Sequence, residues 1–305
     1  MHQECRLSII TVNYNGVKDT CALIGTIPFN DNMEVIVVDN GSKEDEAALI
    51  KQQYPHVRVI RSEENLGFAG GNNLGIRAAS GKYLYLINND TLLYSGVRSE
   101  VSGEEFFQPL INRLESDKRI GIACPMIRFA WKPQPIQFAG YTPLSTITLR
   151  NHAIGFGEED QGQYNQARRT PYAHGAAMMI KREALECVGL MPECYFLYYE
   201  ELDWSMMFTR AGYQIWYEPN CTIFHKESCS TGADSPLRTY YITRNRFLYA
   251  KRNSQPIQRY ATYAYLFVIV GIRDVVKYTL NRRFDLVRAT ICGICHFCLN
   301  HYGEK

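Results

Sequence analysis

The first ninety residues contain four short apolar runs rich in Val, Ile, Leu and Tyr, at positions 7–12, 34–38, 57–60 and 83–87. Helical segments are predicted at 43–54, where Ser42 offers a capping hydroxyl, and at 70–80. Strands that alternate with helices predict βα units and a largely parallel sheet, and continuously apolar strands predict that both faces of the sheet are covered. The sequence therefore predicts an α/β fold.

Polar side chains follow three of these strands directly, at residues 13–15, 39–42 and 88–90. In the segment KYLYLINND, residues 82–90, an apolar run changes abruptly to two amides and a carboxylate. In parallel sheets, ligands bind at the carboxyl ends of strands, in the crevice where the strand order reverses. We therefore expect the three polar clusters to form one ligand site.

The remainder of the chain predicts a loop or insertion at 91–108, mixed short strands and turns at 120–180, a strand at 172–180, a short helix at 181–188 and an extended segment at 216–224. Three acids, Glu200, Glu201 and Asp203, fall at the start of a helix that Gly212 can end. The extended segment after this helix leads to His225.

The charge of the chain is unevenly distributed. The net charge of +2 argues against a general nucleic-acid binder. Residues 236–305 contain 12 Lys/Arg and three Asp/Glu, so their excess of nine positive charges leaves residues 1–235 at −7. An acidic body with a basic C-terminal extension suits contact between the extension and anionic lipid, although a solvated helical subdomain or an oligomer contact has the same composition.

Targeting signals are not evident. Residues 1–6 show no apolar signal region, and the longest apolar stretch, residues 261–272, is shorter than the roughly 20 residues that span a bilayer. These features predict a cytoplasmic protein. Its ten cysteines are expected to be reduced thiols. Cys292, Cys295 and Cys298 share one helix face, which suits packing or a zinc site with His296 or His301.

Five motifs suggest chemistry, each beside a plainer structural alternative. His225 can ligate a metal, or be a partly buried polar residue. Asp39 can accept hydrogen bonds from a nucleotide base or ribose, or it can form an Asx turn. Residues 65–75 are glycine-rich and let a ligand approach the backbone, or form an ordinary loop; they match neither the dinucleotide fingerprint nor a P-loop. Asp90 can hold Mg²⁺ or Mn²⁺ against a diphosphate, or end a strand in a turn. Crowding of Glu200 and Glu201 raises their pKa, which suits a general base, or the acids favour a helix N-terminus.

In this order, the motifs resemble glycosyltransferase family 2, the inverting enzymes with a GT-A fold, and in particular its rhamnosyltransferase-like bacterial branch. The matching segments are SIITVNYNG (8–16), VIVVDNGSKED (35–45), ENLGFAGGNNLGIRAASGKYLYLINNDT (64–91), the long segment 175–213, and IFHKESCSTG (223–232). The resemblance covers roughly residues 8–250. It implies a Rossmann-like, mixed but mainly parallel sheet flanked by helices, with a C-terminal helical extension.

The resemblance also implies roles for individual residues. The nucleotide and the donor would be held by Thr11, Asn13, Asp39, Asn65, Gly67, Asn72 and Asn89. Asp90 and His225 would hold a divalent cation; Asn88 stands where the family motif has its first aspartate, so Asp90 alone supplies charge there. Glu201 aligns with the catalytic base and Glu200 is the fallback. Asp203 and Trp204 would shape the acceptor side.

The implied reaction is the transfer of a sugar from a nucleotide-diphosphate sugar to a hydroxyl of a glycan or lipid-linked acceptor, in bacterial cell-surface polysaccharide synthesis. Residues 1–235 would form the catalytic domain, with a donor half at about 1–120 and an acceptor half at about 121–235. Residues 236–305 would form the basic, amphipathic helical extension, with peripheral contact to the inner face of the plasma membrane. A homo-oligomer is compatible with this organisation.

Two other functions share parts of the pattern. A nucleotidyltransferase that makes sugar nucleotides would need a Gly-rich loop bearing Arg or Lys after the first strand, and VNYNGVKD has none. A non-catalytic sugar-nucleotide-binding module would bind a donor without turnover.

Overall fold

The computed structural model describes residues 6–94, 103–227 and 235–304. Its strands are β1 (Leu7–Asn13), β2 (Met33–Asn40), β3 (Arg58–Ser62), β4 (Tyr83–Ile87), β5 (Thr91–Leu92), β6 (Ile120–Phe129), β7 (Ile136–Phe138), β8 (Arg168–Thr170), β9 (Ala177–Lys181) and β10 (Gln214–His225). Its α-helices are α1 (Val17–Thr26), α2 (Glu46–Gln53), α3 (Gly67–Ala78), α4 (Gly103–Glu115), α5 (Arg182–Val188), α6 (Glu200–Arg210), α7 (Pro236–Asn253), α8 (Pro256–Ala264), α9 (Ile272–Leu280) and α10 (Phe284–Cys298). A 3₁₀ turn (Glu193–Tyr195) precedes α6, and a π-helical turn (Tyr265–Gly271) joins α8 to α9.

All ten strands belong to one sheet, whose main order is β3-β2-β1-β4-β9-β6-β10-β5. Six strands (β1, β2, β3, β4, β6 and β10) point in one direction, while β5, β7, β8 and β9 run against them. The predicted mixed, mainly parallel sheet flanked by helices is therefore confirmed. Because β1 and β2 pair in parallel with Asn13 opposite Asp39, the polar ends of these two strands meet at one edge.

Helix α3 packs unusually close to the sheet. A side chain at Gly75 would come within 2.4 Å of Ile10 Cγ2, and one at Gly71 within 2.9 Å of Val12 Cγ1. Such separations leave no room for a Cβ atom, so glycine at both positions allows the helix to lie against β1.

Some predicted elements differ from the structure. Asp45, not Ser42, caps α2, because its side chain accepts from Ala48 N at 3.1 Å. The strand predicted at 172–180 begins only at Ala177, and the loop predicted at 91–108 contains β5 and the start of α4. Residues 95–102 of that loop lie outside the described residues, as does the end of the 223–232 motif.

The C-terminal helices pack on the rest of the chain through α7. Ser235 caps α7, since its hydroxyl accepts from Arg238 N at 3.2 Å. Arg252 and Asn253, at the end of α7, bond the buried Asp203 of α6. A domain boundary at residue 235 stays a prediction. Among the helices of the described residues, none combines the length and apolar character needed to cross a bilayer.

Candidate active site

The ends of β1 and β2 form a buried polar cluster. Asn13 Nδ2 donates to Asp39 Oδ1 at 3.0 Å and to Glu46 Oε2 at 2.7 Å, while Asn13 Oδ1 accepts from Thr20 Oγ1 at 2.6 Å. Both ends of the Asn13 amide are thus used by protein groups. Asn13 fixes Asp39 and ties α1 and α2 to the strand ends, and its direct contact with a nucleotide stays a prediction.

Two buried oxygen atoms beside this cluster keep unused hydrogen-bonding capacity. Within the described ranges, Asp39 Oδ2 and Thr11 Oγ1 have no hydrogen-bond partner, and both residues are fully buried. Arg61 Nε lies 3.8 Å from Asp39 Oδ2, which is an ion-pair distance rather than a hydrogen bond. Because an unsatisfied buried polar atom is costly, these oxygens suit a ligand with N–H or O–H donors.

The other predicted donor residues are used in building the loop before α3. Asn65 Oδ1 accepts from Asn40 Nδ2 at 3.0 Å and from Gly67 N at 2.9 Å. Asn72 Nδ2 donates to Phe68 O at 2.9 Å inside α3. These bonds fix the loop before α3 and the first turns of that helix, and direct donor contacts by Asn65, Gly67 and Asn72 stay predictions.

The end of β4 is joined to the Asn13 cluster and to β9. Asn89 Nδ2 donates to Thr20 Oγ1 at 3.1 Å, and Thr20 in turn donates to Asn13. The backbone N–H of Asn88 donates to Ala176 O at 2.9 Å. Residues 87–90 (INND) therefore lie between the cluster around Asn13 and the residues that enter β9.

Asp90 and His225 are adjacent and largely buried. His225 Nε2 lies 3.1 Å from Asp90 Oδ1, and its Nδ1 lies 2.8 Å from Gln137 Oε1. Gln137 thereby orients the ring, as outer-shell partners of metal-bound histidines do. A carboxylate and an imidazole fit Mn²⁺, and the carboxylate also fits Mg²⁺. In the part of the chain that the structure describes, no group of three or more His, Cys, Asp or Glu side chains could hold a metal, so a cation here would need further ligands such as water, carbonyl oxygens or phosphate oxygens.

Glu200 and Glu201 begin α6 and occupy different environments. Glu200 is buried, and its Oε2 has no hydrogen-bond partner among the described residues. Burial and the neighbouring charge of Glu201 raise the pKa of Glu200 well above its usual value. Glu201 is only half-buried, and burial raises its pKa as well. A side chain added at Gly175 would lie 3.8 Å from Glu201 Cγ, so Glu201 faces the segment that enters β9.

The backbone immediately before Glu200 is strained. Phe196, Tyr198 and Tyr199 have φ angles of 67°, 68° and 79°, a region that bulky residues rarely occupy. Phe68 N donates to Phe196 O at 2.8 Å, and a side chain at Gly67, whose φ is +71°, would collide with the same carbonyl at 2.3 Å. Gly67 therefore lets the loop before α3 lie against the segment that precedes Glu200 and Glu201.

The two residues predicted to shape the acceptor side are buried. Asp203 is fully buried and bonds Arg252 and Asn253 of α7. Trp204 is 1% exposed and donates through Nε1 to Gly189 O at 2.9 Å. Neither side chain is open to a bound acceptor, so any effect on the acceptor would pass through the position of α6.

Several of the predicted site residues are linked by side-chain contacts and by neighbouring positions in the chain. On one side, Asp39 connects through Asn13 and Thr20 to Asn89, whose chain neighbour Asp90 meets His225. On the other side, Asn88 bonds Ala176, whose chain neighbour Gly175 faces Glu201. The structure thus brings Asp39 and Asp90 to one edge of the sheet and Glu201 beside the segment that enters β9, and a shared role of the three in binding and catalysis stays a prediction.

Three further residues belong to this region. They are Gln137, His174 and Tyr141. The ring of His174 stacks on that of Tyr141, with centroids 5.8 Å apart. Burial, helped by the charge of His225, lowers the pKa of His174 to about 3, so this imidazole is neutral near pH 7. None of these three residues follows a predicted parallel strand. The sequence feature nearest to them is the His-Gly pair at 174–175.

The C-terminal cysteines take different positions. Cys292 packs beside Tyr240 in a buried cluster, whereas Cys295 and Cys298 are exposed. His296 Nδ1 lies 2.7 Å from the Tyr240 hydroxyl. The packing alternative thus describes Cys292, and within the described ranges the three thiols form no metal cluster.

Comparisons with known proteins extend this picture. Residues 8–189, more than half of the chain, match the family model described as glycosyl transferase family 2. The chain is 27% identical over 302 residues to the low-salt glycan biosynthesis hexosyltransferase Agl10 of Haloferax volcanii, covering 98% of this chain and 92% of that one. It is 25% identical to the dTDP-rhamnosyl transferase RfbF of Shigella flexneri, covering 92% and 86%. It is 24% identical to the N-acetylglucosaminyl-diphospho-decaprenol L-rhamnosyltransferase of Mycobacterium tuberculosis, covering 73% and 76%.

Solved structures are similar in fold. The crystal structure of GalNAc-T7 with UDP, GalNAc and Mn²⁺ superposes with a TM-score of 0.59 at 16% identity, covering 83% of this chain and 51% of that one. S. aureus TarS 1-349 gives a TM-score of 0.51 at 13% identity, covering 93% and 90%. These likenesses show the GT-A fold, and the chain spans about half the length of the GalNAc-T7 chain.

Proposed function

The chain belongs to glycosyl transferase family 2 and is a glycosyl-transferring enzyme, and from this premise we propose an inverting, cation-assisted transfer of a sugar to a hydroxyl acceptor. The donor is a nucleotide-diphosphate sugar. The observation that carries the proposal is the series of contacts and neighbouring chain positions that links Asp39 through Asp90 to the Gly175–Glu201 approach. These contacts support a site in which Asp39 accepts hydrogen bonds from the nucleotide, Asp90 lies beside the diphosphate and Glu201 is the candidate base.

The nucleotide end of the donor suits the β1–β2 edge. Asp39 Oδ2 and Thr11 Oγ1 are buried oxygens that gain partners when a base or ribose donates to them. Asn13 keeps the Asp39 carboxylate in place, since it donates to the opposite oxygen. Binding therefore orients the donor along the strand ends, with its diphosphate toward Asp90.

The diphosphate end suits the Asp90–His225 pair. A divalent cation held there would neutralise the negative charge that grows on the leaving diphosphate. Gln137 holds the His225 ring, and the Asn88 N–H···Ala176 O bond holds the backbone before Asp90. The protein's own contribution is a fixed pair of ligands that need not reorganise during the reaction.

The acceptor end suits Glu201. As the bond to the diphosphate breaks, the anomeric carbon becomes positive and an acceptor hydroxyl attacks from the opposite face. Glu201 accepts the proton of that hydroxyl, and one direct displacement inverts the anomeric configuration. Glu200, with the more strongly raised pKa, holds its proton and leaves Glu201 as the ionised member of the pair.

The relatives suggest which substrates to try first. Two are named rhamnosyltransferases: the name of one specifies dTDP-rhamnosyl transfer, and the name of the other includes a diphospho-decaprenol-linked sugar. The third is named a hexosyltransferase. We propose a deoxyhexose or hexose donor and a lipid-linked or glycan acceptor in cell-surface polysaccharide synthesis.

A donor screen tests the reaction class. Purified protein is incubated with UDP-, dTDP- and GDP-sugars and Mg²⁺ or Mn²⁺, and release of nucleoside diphosphate is measured with and without a polyprenyl-diphosphate-sugar acceptor. We expect acceptor-dependent release that EDTA abolishes, and an inverted linkage by NMR. Binding without turnover for every donor and acceptor would support the binding-module alternative instead.

The helices after α7 support peripheral membrane contact at the cytoplasmic face. Apolar side chains at Val268, Ile272, Val276 and Leu280 recur every four residues and are 50–78% exposed. Lys277 and other exposed basic residues follow the same stretch. An exposed apolar stripe flanked by cations suits the surface of an anionic bilayer, and the catalytic residues 1–235 would then work beside lipid-linked acceptor.

Vesicle binding tests this contact. We expect the protein to co-sediment with phosphatidylglycerol vesicles more than with phosphatidylcholine vesicles, and the preference to fall at high salt. Ile272→Ser with Val276→Ser should weaken binding at least about tenfold, because each apolar side chain contributes about 1.5–3 kcal/mol when buried. Leu49→Ser, an equally exposed apolar position on α2, is the control. Equal binding by the double variant and the control would contradict the contact.

A further inference from the structure

The segment between the 3₁₀ turn and α6 holds an unfavourable backbone conformation. Phe196 has φ 67° and ψ −51°, and Tyr198 and Tyr199 also have positive φ. Each such residue is unfavourable and persists only when its surroundings over-determine it. No glycine relieves the strain, so other parts of the molecule must hold the segment.

Two polar residues of α7 supply that hold. The amide nitrogen of Asn245 lies 3.0, 2.7 and 2.9 Å from the carbonyl oxygens of Tyr195, Leu197 and Tyr198. Arg244 Nη2 donates to Tyr195 O at 2.8 Å, and Arg244 Nε donates to Asn245 Oδ1 at 3.0 Å. The arginine therefore also fixes which way the Asn245 amide points. Both side chains are fully buried.

Aromatic contacts from the same helix complete the hold. The ring of Phe196 stacks on Tyr241 with centroids 5.2 Å apart and an interplanar angle of 20°, and Tyr199 lies 5.7 Å from Tyr249. Arg244 lies over the Tyr241 ring at 5.0 Å. All three strained residues thus touch α7, either through a side chain or through a carbonyl.

We propose that Arg244 and Asn245 are positioning residues that hold segment 196–199 so that Glu201 points into the cleft and Glu200 points into the protein. This inference rests on the proposed function, in which Glu201 is the base. Successive residues of an α-helix point about 100° apart, so the direction in which α6 starts decides which glutamate reaches the acceptor. The left-handed residue at Tyr199 immediately precedes that start.

The size of the effect follows from geometry. A reacting group displaced by about 1 Å can lose up to about 10²-fold in rate, because the near-attack arrangement becomes rare. Donor contacts at Asp39 and Asp90 lie on other elements and do not depend on Asn245. Loss of the hold should therefore lower kcat while donor binding is retained.

The test uses Asn245→Leu, which keeps the volume of the side chain and removes its donors. We expect kcat to fall about 10–100-fold, donor Kd to change less than threefold, and the acid limb of the kcat–pH profile to move to lower pH as Glu201 gains contact with solvent. Asn165→Leu, at an exposed loop position, makes the same substitution away from the site and should leave all three unchanged.

The failure modes are distinct. No turnover by the unaltered protein on any donor would overturn the proposed function. Normal turnover by the unaltered protein, with kcat and the acid limb unchanged in folded Asn245→Leu, would overturn the positioning role. If Asn245→Leu does not fold, Arg244→Lys takes its place: it keeps the charge but loses the forked donors that reach Tyr195 O and Asn245. A parallel loss of kcat and donor binding in folded Arg244→Lys would also overturn the role.

Discussion

Replacing Glu201 by glutamine should lower kcat about 10²–10⁴-fold, the range that a positioned general base contributes. The amide keeps the shape of the side chain beside Gly175 but cannot accept the proton of the acceptor hydroxyl. Donor affinity, which depends on the strand ends, should change little. The measurements are kcat from nucleoside diphosphate release and donor Kd from calorimetry.

Glu200→Gln is the matched control, since it makes the same change one residue earlier on α6. Glu200 is buried, and burial with the neighbouring Glu201 charge raises its pKa, which favours the neutral form that the amide mimics. We expect kcat to fall less than tenfold. If Glu200→Gln abolished turnover and Glu201→Gln did not, the fallback base would be the correct one and α6 would start in a different direction in the working enzyme.

The pH profile gives an independent check of the same base. A general base must be ionised, so kcat falls as pH drops through its pKa. Burial raises the pKa of Glu201, and the acid limb should therefore lie above about pH 4.3, the usual value for glutamate. This limb should be absent from the residual activity of Glu201→Gln, because the group that titrates has been removed.

Replacing Asp90 by asparagine should lower cation-dependent turnover about 10²–10³-fold, since Asp90 is the carboxylate that pairs with His225. The loss reflects weaker neutralisation of the leaving diphosphate, an effect of several kcal/mol. Titration with Mn²⁺ in the presence of nucleoside diphosphate, followed by electron paramagnetic resonance, should show weaker binding of the cation.

Gln137→Leu separates the ligand from its support. It removes the partner of His225 Nδ1 but leaves both candidate ligands in place. Outer-shell partners typically contribute 10–100-fold in metal affinity, so a smaller loss than for Asp90→Asn is expected. Unchanged Mn²⁺ affinity and turnover in Asp90→Asn would show that the diphosphate is neutralised elsewhere.

The strand-end part of the site could be predicted from the sequence because its signal is local. Each apolar run that ends in polar residues specifies both a buried strand and the edge where its side chains emerge. The parallel pairing of β1 with β2 and β4 then brings Asp39 and the INND segment to the same edge. Parallel topology converts three separate sequence signals into one location.

The part of the site around His174 and Gly175 could not be predicted in this way, because these residues precede a strand that runs antiparallel to its neighbours. β9 runs antiparallel to β4, so the residues before it, not after it, reach the active edge. His174 and Gly175 therefore lie at the site although no predicted strand ends at them. Gln137 is on the three-residue β7, a strand too short to show a pattern.

Roles of individual polar residues were harder still to predict, because a side chain can be used up by its neighbours. Asn13 has donor-binding chemistry, yet both ends of its amide bond protein groups. Asp203 lies two residues after Glu201 but is bonded to the end of α7, about fifty residues away. Such pairings depend on tertiary contacts between distant segments, which local patterns do not encode.

The glycines that let α3 lie directly on β1 also restrict movement of α3 relative to the sheet. With Cα atoms of Gly71 and Gly75 seated against Val12 and Ile10, tilting or sliding this helix would open a void or force a collision in the core. The side of the site that α3 forms is therefore held rigidly against the sheet. We therefore expect any change of shape on substrate binding to occur on the side of the site that faces α3.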